Sequence, residues 1–444
     1  MSSLFARAYG NSVVLAHSRG QRRVPYLAAS EIASRRDGRI QKVARYASRT
    51  VPHYRELFKS LGIDPHEIRT ADDLDRLPLV SKAELGKAPK RFVSESRRGC
   101  RAVPFDTSGT TGLRLRIEHD RHSLLANIAF SERERALVTA AVGKTIGYRE
   151  LALGYAGNTL NKVTAYYRAH TYLPVRPDRR FVAVDQPVEE VVQAINDHQP
   201  DVLLGYGSYL EALYRLVAVS SIRLHRPKLV FYVAEAMSPE GVEFIEQKFE
   251  LPVYSRYNAV EAFKIGFSCE MSRGFHLHDD LCHVRIVDSA GHDLPAGETG
   301  EVVISNLVNH GTVLLNYRLG DLGRLARKTC PCGRNLRMLE DLQGRVEEVL
   351  YLSEERFVHP RAVWGVLKKA PDILRYQLIQ HERERFELRL LTIDEAAFDC
   401  VRQQVLGPLE ALLEPAVIEP VRLEGLGPQE AGKFRPVIAM GPPT

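Results

Sequence analysis

The middle of the chain alternates between short apolar runs and helical periods, and this alternation restricts the possible folds more than any other feature. Residues 202–204, 229–233 and 252–257 have the composition of strands, and helical patterns at 209–219 and 239–249 separate them. Strand, helix and strand in succession predict parallel βαβ units, because parallel neighbours need a long crossover connection. We therefore expect an α/β protein whose ligand-binding loops follow the carboxyl ends of parallel strands.

The C-terminal third of the sequence has a different pattern. Residues 283–287 and 300–305 alternate apolar and polar positions across a Gly- and Pro-containing connection, which predicts an antiparallel β ribbon. Beyond residue 344, three strand-like runs and two helical periods predict a small α/β unit. We expect a large N-terminal α/β domain at 1–343 and a small, mobile C-terminal α/β lid at 344–444.

The length and composition are those of a multidomain globular protein. A chain of 444 residues is too long for one ordinary core. Apolar residues make up 44% and no apolar run is long enough to predict a membrane span. Six cysteines do not indicate a disulfide framework, and no signal peptide is recognisable. These features predict a cytoplasmic setting.

The N-terminal segment is basic. Residues 1–60 carry twelve Lys or Arg and three Asp or Glu, whereas the whole chain has a net charge of +6. Residues 27–60 also have apolar positions spaced toward one face, which predicts a helix. The charge could attract nucleic acid, an anionic membrane surface or a phosphorylated partner, but a solvated helix face is the simpler interpretation. Because no nucleic-acid motif is recognisable, we expect no nucleic-acid partner.

A Gly-, Ser- and Thr-rich segment follows Phe105 and has the composition of a phosphate-binding loop. Glycines let backbone N–H groups converge, and hydroxyls add donors to anionic oxygens. The segment has no Lys at its end, so it is not a Walker A motif, and alone it is more typical of a surface turn than of a binding site. Its residues are Thr107, Ser108, Gly109, Thr110, Thr111 and Gly112.

Residues 108–112 resemble the phosphate-binding motif of the acyl-adenylate-forming superfamily. From about residue 40 to the C-terminus, the order of further motifs resembles its phenylacetate–CoA ligase branch, including the capsule-biosynthesis relatives. This resemblance implies an enzyme that uses ATP and Mg²⁺ to convert a carboxylic acid into acyl-AMP and pyrophosphate. It also implies that the loop at 107–112 holds the phosphates of ATP.

The resemblance assigns two further loops to the nucleotide. Ala234, Glu235 and Ala236, after the strand at 229–233, would lie against adenine, with Ala236 and Met237 in place of the usual Pro and aromatic residue. The segment 257–261 resembles Tyr-Gly-x-Ser/Thr-Glu. Its residue Tyr257 would pack near adenine, and its Glu261 would act in catalysis by helping to hold Mg²⁺.

This second loop departs from the family pattern at two positions. Asn258, which the resemblance places among the nucleotide-binding residues, replaces Gly, and Val260 replaces a hydroxyl residue that often reaches the α-phosphate. The chemistry could be retained with one contact fewer.

Three motifs nearer the C-terminus complete the resemblance. Asp321 would accept hydrogen bonds from the ribose hydroxyls, and Arg345 would contact ribose or phosphate. Glu347 stands at the family's hinge position, where Asp is usual. Lys433 would be catalytic, because a cation between the substrate carboxylate and the α-phosphate offsets the repulsion of two anions.

Four residues form a candidate metal site. Cys330 and Cys332 are one residue apart, and Cys269 and His276 precede them by about 55–60 residues. The branch named above has a similar Cys…His…Cys-x-Cys arrangement, which implies a structural zinc with four protein ligands. Alternative ligands are Cys282, His278 and His283, and reduced, buried cysteines without metal are also consistent with the pattern.

The acyl acceptor and the acid are not specified by the motifs. Coenzyme A is the family default, while an acyl carrier protein or an amine is chemically open, as is a homodimer. By approximate order, Tyr155 lies where relatives line the acyl pocket and would suit an aromatic or other flat acid, while a core tyrosine is an equal alternative. Two other classes remain open: a ligase-inactive nucleotide-binding assembly protein, suggested by Asn258 and Val260, and a zinc-containing basic scaffold.

Overall fold

The computed structural model describes residues 3–97, 102–107, 114–173, 177–345, 348–353, 356–425 and 434–440. The chain divides into two compact units, each built from separate stretches of sequence. The first unit comprises residues 1–147, 157–177 and 254–342, and the second comprises residues 148–156, 178–253 and 343–444.

The α-helices of the two units are, in chain order, α1 (Ser3–Ser18), α2 (Ala29–Thr50), α3 (Pro52–Leu61), α4 (Lys82–Lys87), α5 (Arg121–Phe130), α6 (Arg135–Val142), α7 (Thr159–His170), α8 (Val188–His198), α9 (Gly207–Val219), α10 (Pro239–Phe249), α11 (Pro360–Leu367) and α12 (Glu395–Leu413).

The strands, in the same order, are β1 (Val103–Asp106), β2 (Arg116–His119), β3 (Arg149–Gly154), β4 (Asp178–Ala183), β5 (Val202–Tyr206), β6 (Leu229–Val233), β7 (Val253–Tyr257), β8 (Gly266–Cys269), β9 (Ser272–Leu277), β10 (Cys282–Val287), β11 (Thr299–Asn306), β12 (Tyr317–Leu325), β13 (Met338–Arg345), β14 (Leu350–Tyr351), β15 (Phe357–Val358), β16 (Arg375–Glu382), β17 (Arg385–Leu391), β18 (Val417–Arg422) and β19 (Val437–Ile438).

A parallel sheet forms the core of the second unit. Its strands lie in the order β6-β5-β3-β4, and the pairs β5/β6, β3/β5 and β3/β4 are all parallel. Every residue of β5 is buried, as expected for a parallel strand with both faces covered. The loop after β6 therefore begins at the carboxyl end of a parallel strand.

The C-terminal part of the second unit has its own sheet and core. The strand order is β18-β17-β16-β19, with β16 and β17 antiparallel. β19 pairs in parallel with β16, so a segment near the C-terminus lies beside the first strand of this sheet in sequence order. Buried side chains of α12, including Val401, Val405 and Leu409, belong to this core. The domain boundary after residue 343 remains a prediction.

Antiparallel strands form the main sheet of the first unit, in the order β10-β11-β12-β13-β9-β8-β7. The predicted ribbon at 283–287 and 300–305 corresponds to β10 and β11, which pair antiparallel. Strands β1 and β2 form a separate two-stranded hairpin. The predicted fold class is confirmed: an α/β protein with a parallel sheet, antiparallel strands and a smaller C-terminal α/β part.

The helical structure predicted over residues 27–60 is found, but as the two helices α2 and α3, because the chain turns at Val51 and Pro52. Val51 has extended backbone angles (φ −112°, ψ 116°), and Pro52 begins α3. A proline ring disfavours the helical conformation of the residue before it but suits the first turn of a new helix. Pro52 is therefore the local signal of the boundary between the two helices.

The basic N-terminal segment is partly neutralised within the first unit. Five of its arginines pair with carboxylates: Arg22 with Glu132, Arg35 with Glu31, Arg36 with Asp37, Arg39 with Asp280 and Arg55 with Glu95. In the part of the chain that the structure describes, no helix combines the length and apolar character needed to cross a membrane.

Candidate nucleotide site and metal centre

Thr107 closes the base of the predicted phosphate loop. It follows β1, and its backbone N–H donates to the Leu115 carbonyl oxygen over 2.8 Å. The Thr107 hydroxyl accepts from the Leu115 N–H over 3.0 Å. Thr107 and Leu115 are therefore hydrogen-bonded to each other where the segment between β1 and β2 leaves and rejoins the hairpin. Residues Ser108, Gly109, Thr110, Thr111 and Gly112 lie outside the described residues.

Two tyrosine hydroxyls join the turn after β7 to strand β12. The Tyr257 hydroxyl donates to Oδ2 of Asp321 over 2.6 Å, and both residues are buried. The Tyr317 hydroxyl lies 3.5 Å from Oε1 of Glu261, at the limit of a hydrogen bond. Two contacts thus join the segment 257–261 to the segment 317–321 in the first unit.

The turn that carries Glu261 is held by side chains from other elements. The Asn306 amide donates to the Glu261 carbonyl oxygen over 2.8 Å. Nε2 of His119, at the end of β2, lies 2.8 Å from the Val260 carbonyl oxygen. Burial lowers the pKa of His119 to about 4, so its ring is neutral near pH 7 and can donate through Nε2–H.

A ring stack and an amide side chain also stabilise this turn. The ring of His119 stacks on Phe263, with 4.1 Å between the ring centroids. The Asn258 amide satisfies its surroundings when its nitrogen faces two carbonyl oxygens. In that orientation it donates to the carbonyl oxygens of Tyr257 and Phe263 over 2.9 and 2.8 Å. Asn258 is thus used to hold the turn itself.

The loop Ala234–Ala236, called the adenine loop below after its predicted role, has a constrained backbone in the second unit. Ala234 has φ of +68°, a left-handed conformation that is uncommon for a residue with a side chain. The Glu235 N–H donates to the Val233 carbonyl over 2.7 Å, and the Gly207 N–H donates to the Glu235 carbonyl over 3.2 Å. A Cβ added to Gly207 would lie 2.5 Å from the Glu235 carbonyl oxygen and from the Ala236 carbonyl carbon.

The Glu235 side chain connects the adenine loop to the C-terminal segment. Its Oε1 accepts from the Phe434 N–H over 2.9 Å, and its Oε2 accepts from the Ser208 hydroxyl. The Arg375 guanidinium lies over the Phe434 ring, 3.6 Å from the ring centroid. Burial lowers the pKa of Arg375, and the negative charge of Glu235 opposes this shift. Lys433, which precedes Phe434 in the sequence, lies outside the described residues.

Tyr155 is influenced by the same carboxylate and lies beside a second tyrosine ring. The ring of Tyr155 is 5.5 Å from that of Tyr206, centroid to centroid. Burial, reinforced by the Glu235 charge, raises the pKa of Tyr155 to about 12, so its hydroxyl stays neutral. Two tyrosine rings, those of Tyr155 and Tyr206, thus lie next to each other in the second unit.

Arg345 is the last residue of β13. Its backbone N–H donates to Oε2 of Glu348 over 3.2 Å. Glu347 lies outside the described residues, so its predicted hinge role stays a prediction. Among the described candidates, the structure places one group in the first unit (Thr107, Tyr257, Asn258, Glu261, Asp321) and one in the second (Ala234, Glu235, Ala236, Arg345).

The four predicted zinc ligands of the first unit form one cluster. Cys269 and His276 come from β8 and β9, and Cys330 and Cys332 come from the connection between β12 and β13. The Sγ atoms of Cys269 and Cys330 are 3.6 Å apart, and Nε2 of His276 is 3.3 Å from Sγ of Cys269 and of Cys332. All four ligand atoms lie within 4.8 Å of one another.

This donor set fits a tetrahedral zinc. Zinc bonds of about 2.3 Å to sulfur and about 2.0–2.1 Å to nitrogen place neighbouring ligand atoms roughly 3.5–3.8 Å apart, close to the distances found. The alternative ligands contact other groups: Nε2 of His278 lies 3.4 Å from Glu134, and Nδ1 of His283 lies 3.6 Å from Asp279. Four protein ligands leave no open coordination position, which is typical of a structural site.

Several residues that contact the adenine loop or the turn at 257–261 were not predicted from the sequence. Arg375, Phe434 and Ser208 surround Glu235, and His119 and Asn306 hold the turn at 257–261. One sequence signal was available. Gly207 follows a strand in Gly205-Tyr206-Gly207-Ser208, and a glycine there often marks close approach of another backbone. The other contacts join residues far apart in the chain and have no local pattern.

Comparisons with known proteins support the same class. No protein-family model matches the sequence. A phenylacetate–CoA ligase of Thermus thermophilus is 25% identical over 395 residues, which cover 86% of each chain. One from Aromatoleum evansii is 23% identical over 357 residues, covering 78% of this chain and 77% of that one. One from Escherichia coli is 25% identical over 352 residues, covering 72% and 73%.

Solved structures resemble the fold. A 2-hydroxyisobutyryl-CoA ligase in its postadenylation state, with R3-HIB-AMP bound, has a TM-score of 0.76 at 19% identity, covering 94% of this chain and 91% of that one. The same ligase with 2-HIB-AMP and CoA, in the thioesterification state, has a TM-score of 0.61 at 20% identity, covering 93% and 90%. From the fold, the ordered motifs and the related sequences together, the chain belongs to the acyl-adenylate-forming superfamily and is an acyl-adenylate-forming ligase similar to the phenylacetate–CoA ligase branch.

Proposed function

We propose that the protein activates a carboxylic acid with ATP, giving acyl-AMP and pyrophosphate, and then transfers the acyl group to coenzyme A. The observation that carries the proposal is the pairing of the segments 257–261 and 317–321, in which Asp321 and Glu261 are each approached by a tyrosine hydroxyl from the other segment. The resemblance assigns one of these carboxylates to ribose and the other to Mg²⁺, which supports an adenylate site. The related phenylacetate–CoA ligases support the same reaction.

The two carboxylates would have different roles. Asp321, oriented by the Tyr257 hydroxyl, accepts hydrogen bonds from the ribose hydroxyls. Glu261 supplies a carboxylate ligand for Mg²⁺, which when bound neutralises charge on the phosphate oxygens. The loop that starts at Thr107 cradles those phosphates with backbone N–H groups and hydroxyls, and the adenine loop packs against the base.

The first half-reaction joins two anions. A carboxylate oxygen of the acid attacks the α-phosphorus, the bond from that phosphorus to the bridging oxygen breaks, and pyrophosphate leaves. Lys433 offsets the repulsion as the anions approach, an electrostatic contribution whose loss typically costs about 10²–10³ in rate. We propose that residues 344–444 carry this lysine as a movable lid.

The second half-reaction consumes the acyl-AMP. The sulfur of coenzyme A attacks the acyl carbonyl carbon, the bond to the AMP oxygen breaks, and the thiol proton is released. A carrier-protein thiol or an amine could replace coenzyme A in the same step. If Tyr155 lines the acyl pocket, as the resemblance implies, it favours an aromatic acid, since flat rings pack on aromatic side chains. Zinc at the four-residue cluster would brace the first unit without contacting substrate.

The test is a product assay with the full chain, ATP, Mg²⁺, coenzyme A and a panel of arylacetic, benzoic and short aliphatic acids. Mass spectrometry should detect an acyl-CoA and AMP with at least one acid, and Glu261→Gln should lower the rate about 100-fold. Glu240→Gln, on the surface helix α10, is the matched control and should keep the wild-type rate. Formation of ADP and phosphate, or an unchanged rate in Glu261→Gln, would contradict the proposal.

A further inference from the structure

Phe434 is fixed on several sides, although it lies near the end of the chain. Its N–H is bonded to Glu235, and its ring lies under the Arg375 guanidinium. The next residues continue as a strand along β16. The Gln377 amide donates to the Arg435 carbonyl over 2.9 Å, and the Leu378 N–H donates to the Pro436 carbonyl over 2.8 Å. The segment 434–438 is therefore attached both to β16 and to the adenine loop.

The adenine loop needs such support, because its backbone is strained. A left-handed Ala234 persists only where the surroundings determine the conformation. The contacts that do so include the Gly207 N–H on the Glu235 backbone and the Phe434 N–H and Ser208 hydroxyl on the Glu235 side chain. Ala234–Ala236 is thus held partly by a residue 199 positions beyond Glu235 in the sequence.

Arg375 sits at the centre of this arrangement. Its side chain lies over Phe434, 3.5 Å from the Ser208 hydroxyl, and its charge attracts the Glu235 carboxylate. A buried guanidinium on an aromatic ring is stabilised by stacking and by the ring quadrupole, which favours one orientation of the ring. Arg375 therefore fixes the Phe434 ring and, through it, the N–H that reaches Glu235.

We propose that Arg375 and Phe434 are positioning residues for the adenine loop, so that seating of Phe434 on Glu235 and binding of adenine nucleotide reinforce one another. Neither residue needs to touch the nucleotide. Binding free energies are reciprocal: if a seated Phe434 improves nucleotide affinity, then bound nucleotide must stabilise the seated Phe434 by the same factor. This inference rests on the proposed function, which assigns adenine to Ala234–Ala236.

The first test measures AMP and pyrophosphate binding to the full chain by calorimetry, without any acid. Phe434→Ala and Arg375→Met should each weaken AMP binding about tenfold, while pyrophosphate affinity stays unchanged, because the phosphate loop is in the other unit. Phe434→Tyr keeps the ring and should restore wild-type affinity. Arg375→Lys keeps the charge without the planar fork and should remain weakened.

The matched control is Lys368→Met in the same unit, where the ammonium lies 4.8 Å from the Trp364 ring centroid. It should leave AMP affinity unchanged. Equal AMP affinity in wild type, Phe434→Ala and Arg375→Met would overturn the inference, as would a matching loss of pyrophosphate affinity or normal binding by Arg375→Lys. If the wild type binds no AMP, the proposed function itself fails, which is a separate result.

The second test examines the reciprocal effect by hydrogen–deuterium exchange. AMP should slow exchange in the peptide that contains the Phe434 amide about tenfold in wild type, and by far less in Arg375→Met. A residue that only stabilises the fold would lower the melting temperature without linking this amide to AMP. Identical exchange with and without AMP, at saturating AMP, would contradict the coupling.

Discussion

The Tyr257 hydroxyl donates a 2.6 Å hydrogen bond to Oδ2 of Asp321, joining the turn after β7 to β12. This bond fixes the carboxylate that is proposed to accept the ribose hydroxyls. Hydrogen bonds to charged groups contribute about 1.5–3 kcal/mol. Tyr257→Phe should therefore raise the KM for ATP about tenfold, and Asp321→Ala should raise it further; steady-state kinetics measure both.

The control for this prediction is another buried tyrosine of the first unit. The Tyr54 hydroxyl accepts from the Leu315 N–H over 2.7 Å, with no proposed part in nucleotide binding. Tyr54→Phe should reduce stability and leave the KM for ATP unchanged. The same KM increase in both variants would show that the Tyr257 effect is a general loss of stability.

Gly207 should be essential for the shape of the adenine loop. In Gly207→Ala, the new Cβ would lie 2.5 Å from the Glu235 carbonyl oxygen, closer than real contacts allow. Because the atoms it would meet belong to the backbone, the loop must shift, and we expect AMP affinity to fall tenfold or more. Gly365→Ala in α11, where a Cβ meets nothing within 4 Å, is the control. It should keep full affinity; equal affinity in both variants would refute the close approach.

The metal cluster predicts about one zinc per purified chain by elemental mass spectrometry. Cys332→Ser and Cys269→Ser each remove a ligand and should lose the metal, lowering the melting temperature by roughly 5–10 °C. Cys400→Ser, exposed on α12, should retain it. Retention of zinc by both ligand variants, or its loss in Cys282→Ala, would point to another ligand set.

His119 should make stability depend on pH. Burial lowers its pKa from 6.5 to about 4, so the unfolded chain binds this proton more readily than the folded one. Its contribution is fully present above about pH 6.5 and is lost as the pH falls toward 4. Between pH 7 and pH 5 this costs about 1–2 kcal/mol, measurable by urea unfolding.

The variant His119→Gln can still donate to the Val260 carbonyl but does not titrate. Its stability should change less than that of wild type between pH 7 and pH 5. His381→Gln, at an exposed histidine, should keep the wild-type dependence. An identical pH dependence in His119→Gln and wild type would contradict the assignment.

Local patterns predicted the regular elements well. Strand β6 and helix α10 have the predicted bounds, because an apolar run or an amphipathic period is a local property of the sequence. The break at Pro52 was also a local signal, and periodicity alone obscured it. The family resemblance pointed to Tyr257, Glu261 and Asp321, and the structure joins the two segments that carry them.

The supporting contacts could not be predicted in this way. His119 reaches the carbonyl of Val260, 141 positions away, and Phe434 reaches Glu235, 199 positions away. Which long-range pairs meet depends on how whole elements pack, not on the residues next to each partner. Arg375 was especially hard to predict as a site residue, because a single arginine at the start of a strand is usually a solvated charge.

The most direct test of acid activation is acid-dependent exchange of labelled pyrophosphate into ATP, which reports the first half-reaction without any acyl acceptor. The wild type should show exchange with at least one acid of the panel. Lys433→Ala should slow it by on the order of 10² or more while keeping its fold, and Lys328→Ala should not slow it. Exchange that is unchanged in Lys433→Ala would contradict the proposed role of this lysine. A wild-type protein that binds AMP but shows no acid-dependent exchange would contradict acid activation itself.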